Sequence, residues 1–122
     1  MERDPMIAGI GLREAATPAS VLDALARAGG AALRHLAVPA PKVRHPAIAS
    51  LTRLGYTVTP IPPEALDRPT LTDSRHARAA FGTGSVAEAC ALAAIPGARL
   101  LGPRAVSADR LATAAIATGD PE

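Results

Sequence analysis

Short apolar runs alternate with helical repeats along this chain. Met6 to Ile10 is an apolar run ending in Gly9-Ile10-Gly11, the pattern of a buried strand followed by a turn. Thr17-Pro18 supplies a helix cap and a proline at the first helical position, and Val21, Leu22, Leu25 and Ala28 recur at helical spacing before Gly29-Gly30. Leu33 to Val38 reads as a second strand, closed by Pro39-Ala40-Pro41-Lys42. Pro46 opens a second helix with apolar positions Ile48, Leu51 and Leu54, and the β-rich Tyr56 to Ile61 gives a third strand. The proline-rich stretch from Pro60 to Thr72 predicts a surface connection with at most one helical turn, at Pro63 to Leu66. Asp73 or Ser74 can cap a short helix through Phe81, a helix Val86 to Ala94 follows, and Arg99-Leu100-Leu101 reads as a strand. Leu111 to Thr118 fits a strand or a helix. This alternation predicts a single α/β domain over residues 1–122, a three-layer sandwich with a mainly parallel (mixed) sheet of about five strands. Sheets of this kind bind ligands at the carboxyl ends of their strands.

Gly82-Thr83-Gly84-Ser85-Val86-Ala87-Glu88 joins two of these helices and is the strongest local signal. Ser85 and Glu88 have the spacing of a capping box, in which the serine hydroxyl accepts the Glu88 N–H and the glutamate reaches back to the Ser85 N–H. The glycines let the backbone approach a ligand closely, and the first-turn N–H groups favour an anion. A tight loop feeding a buried helix would leave the same pattern.

Composition narrows the chemistry. Thirteen Lys and Arg against eleven Asp and Glu leave a net charge of +2, too weak a field to imply nucleic acid. Tyr56 and Phe81 are the only aromatic residues, which excludes a stacking platform for single strands. Lys42 is the only lysine; the other cations are arginines, suited to bidentate pairing with carboxylate or phosphate. No stretch is long and apolar enough for a membrane span and no leader pattern is visible, so a cytoplasmic protein without a membrane partner is expected. Gly9-Ile10-Gly11 lacks the third glycine of a dinucleotide fingerprint, Glu14 standing there, and Gly82-Thr83-Gly84-Ser85 lacks the lysine of a phosphate loop; no cofactor is expected. His35, His45 and His76 have no second ligand at metal spacing, and each reads as a surface or loop residue. Cys90, on the apolar face of the Val86 helix, reads as a small packed hydrophobe. Arg75 and Arg78 share a helix face that could clamp a polyanion.

Ile7-Ala8-Gly9-Ile10-Gly11-Leu12-Arg13, Lys42, the segment Gly82 to Leu92 and the late Leu100-Leu101-Gly102-Pro103-Arg104 together resemble the CobE family, equivalent to the C-terminal domain of CbiG in cobalamin biosynthesis. The resemblance covers nearly the whole chain and implies a strand at Thr113 to Ala117. It departs at His45, where the family tends to have an acidic residue, and at Arg104, where lysine is common. Full-length CbiG proteins open the δ-lactone of a cobalt-corrinoid and release acetaldehyde, using an additional N-terminal region. At 122 residues the chain has no room for that region and is expected to be the stand-alone form. The resemblance implies a corrin-ring intermediate as ligand, held by Gly9, Gly11, Arg13, Lys42, Gly82, Thr83, Gly84, Ser85 and Arg104. Corrin precursors carry acetates and propionates around an apolar macrocycle, which asks for cations and N–H donors between apolar walls. The first expectation is a protein that binds or hands on such an intermediate. The alternatives are a hydrolase opening the δ-lactone and a subunit contacting other cobalamin-pathway enzymes. The sequence leaves turnover open and assigns no catalytic residue.

Overall fold

In the computed structural model, which describes residues 5–119, helices cover both faces of a six-stranded sheet. In chain order the elements are β1 (Met6–Leu12), α1 (Pro18–Arg27), β2 (His35–Pro39), α2 (Pro46–Arg53), β3 (Thr57–Ile61), α3 (Arg75–Phe81), α4 (Val86–Ala94), β4 (Arg99–Leu100), β5 (Ala105–Val106) and β6 (Ala112–Thr118). Single 3-10 turns occupy Ala40–Lys42 and Pro63–Leu66. The strand order is β3-β2-β1-β6-β4, with β5 also paired to β6. β1, β2 and β3 are parallel. β6 lies antiparallel to β1 along its full length, from Met6 opposite Thr118 to Leu12 opposite Ala112, and antiparallel to β4 and β5. β6 therefore runs against all the other strands. The sheet is an α/β sandwich of mixed, mainly parallel type, with one strand more than the sequence pattern predicts: β5 spans two residues, too few to register as a periodic run.

Local chemistry sets the helix starts. Thr17 and Ser20 exchange backbone-to-hydroxyl bonds of 3.1 and 3.2 Å, a capping box that precedes the fixed φ of Pro18. Ser74 accepts the Ala77 N–H at 3.3 Å and Ser85 accepts the Glu88 N–H at 3.3 Å, starting α3 and α4.

The two faces of β1 belong to different cores. Ala8 and Ile10 pack with Val21 and Leu25 of α1 and with Ile48 and Leu51 of α2. Ile7 packs on the other face with Val86, Ala89 and Cys90 of α4. Burial pushes the Cys90 thiol up, so it remains protonated and serves as packing.

Gly9 and Gly11 correct the sequence reading. They do not form a turn; β1 continues through both. A Cβ on Gly9 would overlap the Ala87 carbonyl oxygen and stand 2.6 Å from the Ala91 nitrogen. Here α4 lies backbone to backbone on the sheet, an approach that any side chain would block. On Gly11 a Cβ would stand 2.6 Å from the Thr113 hydroxyl. No helix among the described residues is long and apolar enough to cross a membrane.

Candidate functional site

Because β6 runs opposite to its neighbours, its first residues lie at the same edge of the sheet as the last residues of β1, β2 and β5. A cleft of about 720 Å³, counted out to its open mouth, lies along this edge. Four cations line it, each from a different connection. Arg13 follows β1, Lys42 ends the turn after β2, Arg104 precedes β5 and Arg110 lies in the β5–β6 hairpin. Leu12, Phe81, Val86, Val106 and Leu111 supply apolar wall, and among the described residues no lining side chain is acidic. An uncompensated cluster of this kind raises the local concentration of anions and pairs with carboxylates.

Gly11, Arg13, Lys42 and Arg104 of the sequence-derived set border this cleft. Gly9 is covered by α4 and does not. Gly82 to Ser85 do not line it either, although the next residue, Val86, does. Gly82, at φ +71°, terminates α3 as a left-handed cap, its N–H donating to the Arg78 carbonyl at 3.0 Å. Gly84 is where the segment from Thr70 to Ser74 crosses. A Cβ there would stand 2.6 Å from the Thr70 hydroxyl, and its carbonyl accepts the Ser74 N–H at 2.6 Å. Gly84 thus admits another part of the chain, while Gly82 supplies the left-handed cap of α3. Thr83 and Ser85 are buried, and the Thr83 hydroxyl has no hydrogen-bond partner among the described residues. What reaches the cleft is the positive end of α4. The N–H groups of Val86 and Ala87 have no acceptor within the helix, and the Ala87 nitrogen lies 3.6 Å from where a Gly11 Cβ would stand.

Glu88 does not complete the expected capping box. Its carboxylate, fully buried, turns instead to two loops. Oε1 accepts the N–H groups of Leu71 and Thr72 at 2.6 and 2.9 Å, while Oε2 accepts the Thr72 hydroxyl at 2.6 Å and the Arg104 N–H at 2.8 Å. One side chain therefore ties the segment entering α3 to the segment carrying a cleft cation.

His45 is likewise not a surface residue; it is 6% exposed. Its Nδ1 accepts the Ala47 N–H at 3.0 Å, capping α2, so the ring proton is on Nε2. Nε2–H then donates to the carbonyls of Arg13 and Glu14, each at 3.0 Å. A carboxylate could make the first bond and not the second, because it has no proton to give. Histidine here fixes the backbone that presents Arg13. His35 is exposed on β2, with Nε2 2.6 Å from the Thr59 hydroxyl. The side chain of His76 lies outside the described part of the structure. Arg78 pairs with Asp73 at the surface, and neither it nor Arg75 lines the cleft. Among the described residues no group of three His, Cys, Asp or Glu could hold a metal ion.

The family model "Cobalamin synthesis G C-terminus" matches residues 6–117. The chain belongs to that family. Two solved structures agree. CobE, a protein from the cobalamin biosynthetic pathway, is 28% identical with a TM-score of 0.79, over 100% of this chain and 96% of its own. The cobalamin biosynthesis protein chiG from Agrobacterium tumefaciens is 30% identical with a TM-score of 0.69, over 95% of this chain and 99% of its own. No curated protein sequence matches. The chain is thus a cobalamin-synthesis protein of the CobE/CbiG C-terminal type.

In this CbiG C-terminal domain, sequence reasoning missed Arg110. It is exposed, carries φ +63° and stands at the mouth of the cleft. Nothing in the segment Ser107-Ala108-Asp109-Arg110 marks it, since no glycine or asparagine announces a left-handed position.

Proposed function

We propose that this protein binds a corrin-ring intermediate of cobalamin synthesis in the cleft, holding its carboxylates with Arg13, Lys42 and Arg104. The carrying observation is the lining itself: among the described residues, four cations, apolar wall and no acidic side chain. The cleft is open to solvent, so a macrocycle can set its carboxylates inside while the rest of the ring stays outside. The α4 N-terminus adds main-chain donors at the Gly11 end.

We further propose binding without turnover by this chain alone. Opening a lactone takes a placed base for water. Glu88 is buried and occupied by four hydrogen bonds, and both ring nitrogens of His45 are engaged. The test has two arms. Titration with cobyrinic acid, a corrin with its acetates and propionates free, at low and high salt should show binding that weakens with salt and weakens further in Arg13→Ala and Arg104→Ala. Incubation with a lactone-bearing cobalt-corrinoid should release no acetaldehyde above the rate without protein. Release that is lost in Lys42→Ala would make the protein a hydrolase, and absence of any binding would overturn the first proposal.

A further inference from the structure

Arg110 breaks a rule that the other described residues keep. Among the described residues five have left-handed backbone: Gly29, Gly55, Gly82, Gly97 and Arg110. Four are glycines, for which φ > 0 carries no steric penalty; the fifth is a long side chain. Its position is one that hairpin chemistry assigns to glycine or asparagine. The Arg110 N–H donates to the Ser107 carbonyl at 2.9 Å, closing a four-residue turn, and the next strand begins at Ala112. A left-handed residue after such a turn is where short hairpins place Gly.

The turn is fastened firmly enough to hold this conformation. Asp109 Oδ1 accepts the Ser107 hydroxyl at 2.6 Å and the Leu111 N–H at 3.0 Å, and Oδ2 accepts the Ser20 hydroxyl of α1 at 2.6 Å. The Ala108 N–H donates to Asp23 Oδ2, also of α1, at 2.8 Å. The Ser107 hydroxyl in turn accepts the Ala112 N–H at 3.1 Å. These bonds fix the main chain on both sides of Arg110 and occupy the one carboxylate next to it. Its guanidinium has no ion-pair partner among the described residues and lines the cleft beside Arg13, Lys42 and Arg104. Strain held in place by a rigid surround, at a residue facing a ligand cleft, points to use of the side chain.

We infer that Arg110 is an anion-binding residue of the cleft, kept at a glycine position because its guanidinium contacts a carboxylate of the bound corrinoid. The inference rests on the corrinoid reading above. It assigns function to a residue that the fold would be better without, so stability and binding must move in opposite directions. Arg110→Gly removes both strain and charge. Its urea midpoint should rise, and its affinity for cobyrinic acid should fall by about tenfold, the loss of one charge-assisted contact. Arg110→Ala keeps the Cβ and loses the charge, giving the same weakening without the gain in midpoint. Arg110→Lys keeps the charge and should retain most of the affinity. If the parent binds and Arg110→Gly binds equally well, the inference is overturned. A midpoint that falls in Arg110→Gly overturns it too, since the arginine would then be structural. If the parent does not bind cobyrinic acid, the corrinoid reading itself fails and takes this role with it, an outcome told apart by the unsubstituted protein alone.

Discussion

Replacing Glu88 with glutamine changes one oxygen for an amide nitrogen and leaves the volume of the site almost untouched. Four donors converge on the carboxylate: three N–H groups and a hydroxyl. An amide has one acceptor oxygen. Its better orientation keeps that oxygen on the Leu71 and Thr72 N–H groups and turns the NH2 towards Oε2's former partners. The Thr72 hydroxyl can rotate and accept, whereas the Arg104 N–H cannot. One buried donor is stranded against another, at about 1–3 kcal/mol, and the surviving bonds drop from the charge-assisted range of about 1.5–3 kcal/mol each towards about 0.5–1.5. Burying a neutral group instead of a charged one returns part of this. The net expectation is a loss of about 2–4 kcal/mol, a large share of the roughly 5–15 kcal/mol that holds a domain folded. Urea unfolding followed by circular dichroism measures it. Amide exchange gives the finer reading: the Arg104 N–H should lose protection while Leu71 and Thr72 keep theirs. A midpoint within about 0.5 kcal/mol of the parent, or loss of protection at all three amides alike, would refute the reasoning about orientation.

Gly9→Ala should be among the most damaging small substitutions, because the new methyl overlaps the Ala87 carbonyl and neither β1 nor α4 can move without opening a core; a stable, soluble Gly9→Ala protein with a parental midpoint would contradict the packing described. Acid should loosen the β5–β6 turn. The Ser107 hydroxyl first, then the Ser20 hydroxyl and the Leu111 N–H, hold the Asp109 carboxyl below its ordinary value of 3.8. With the folded value depressed, its contribution is complete above the ordinary carboxylate range and is lost as pH falls through the folded value. Asp109→Asn should therefore be less stable than the parent at neutral pH and converge with it in strongly acid buffer. Denaturant midpoints across that range check this, and a gap independent of pH would count against it.

What the sequence revealed and what it hid divide by range of interaction. The starts of α1, α3 and α4 were legible because a cap is a contact between residues three apart: Thr17 with Ser20, Ser74 with Ala77, Ser85 with Glu88. The proline-rich connection and its single turn at Pro63–Leu66 were legible for the same reason. The glycine pair of β1 misled, because Gly-Ile-Gly spells a turn unless a helix some eighty residues later is known to lie on it. Glu88 had a plausible local partner in Ser85 and took distant ones. His45 reads as a loop residue until the carbonyls of Arg13 and Glu14 are brought to it. Arg13, Lys42 and Arg104 carried a family resemblance and were named from it. Arg110 carried none, and its signal is a backbone angle that no residue pattern displays.

The placement of β6 bears on how the molecule assembles during synthesis. The last of the described strands occupies the middle of the sheet, between β1 and the pair β4 and β5, and it pairs along its full length with β1, about a hundred residues earlier. Until Ala112 to Thr118 have left the ribosome, β1 presents an unpaired edge flanked by apolar surface, while β4 and β5 have nothing to join. The entropic cost of closing such a loop grows only slowly with its length, yet it must be met before the sheet becomes continuous. A nascent chain halted short of β6 would carry β1-β2-β3 and their helices with one open, sticky edge, the kind of intermediate that chaperones hold.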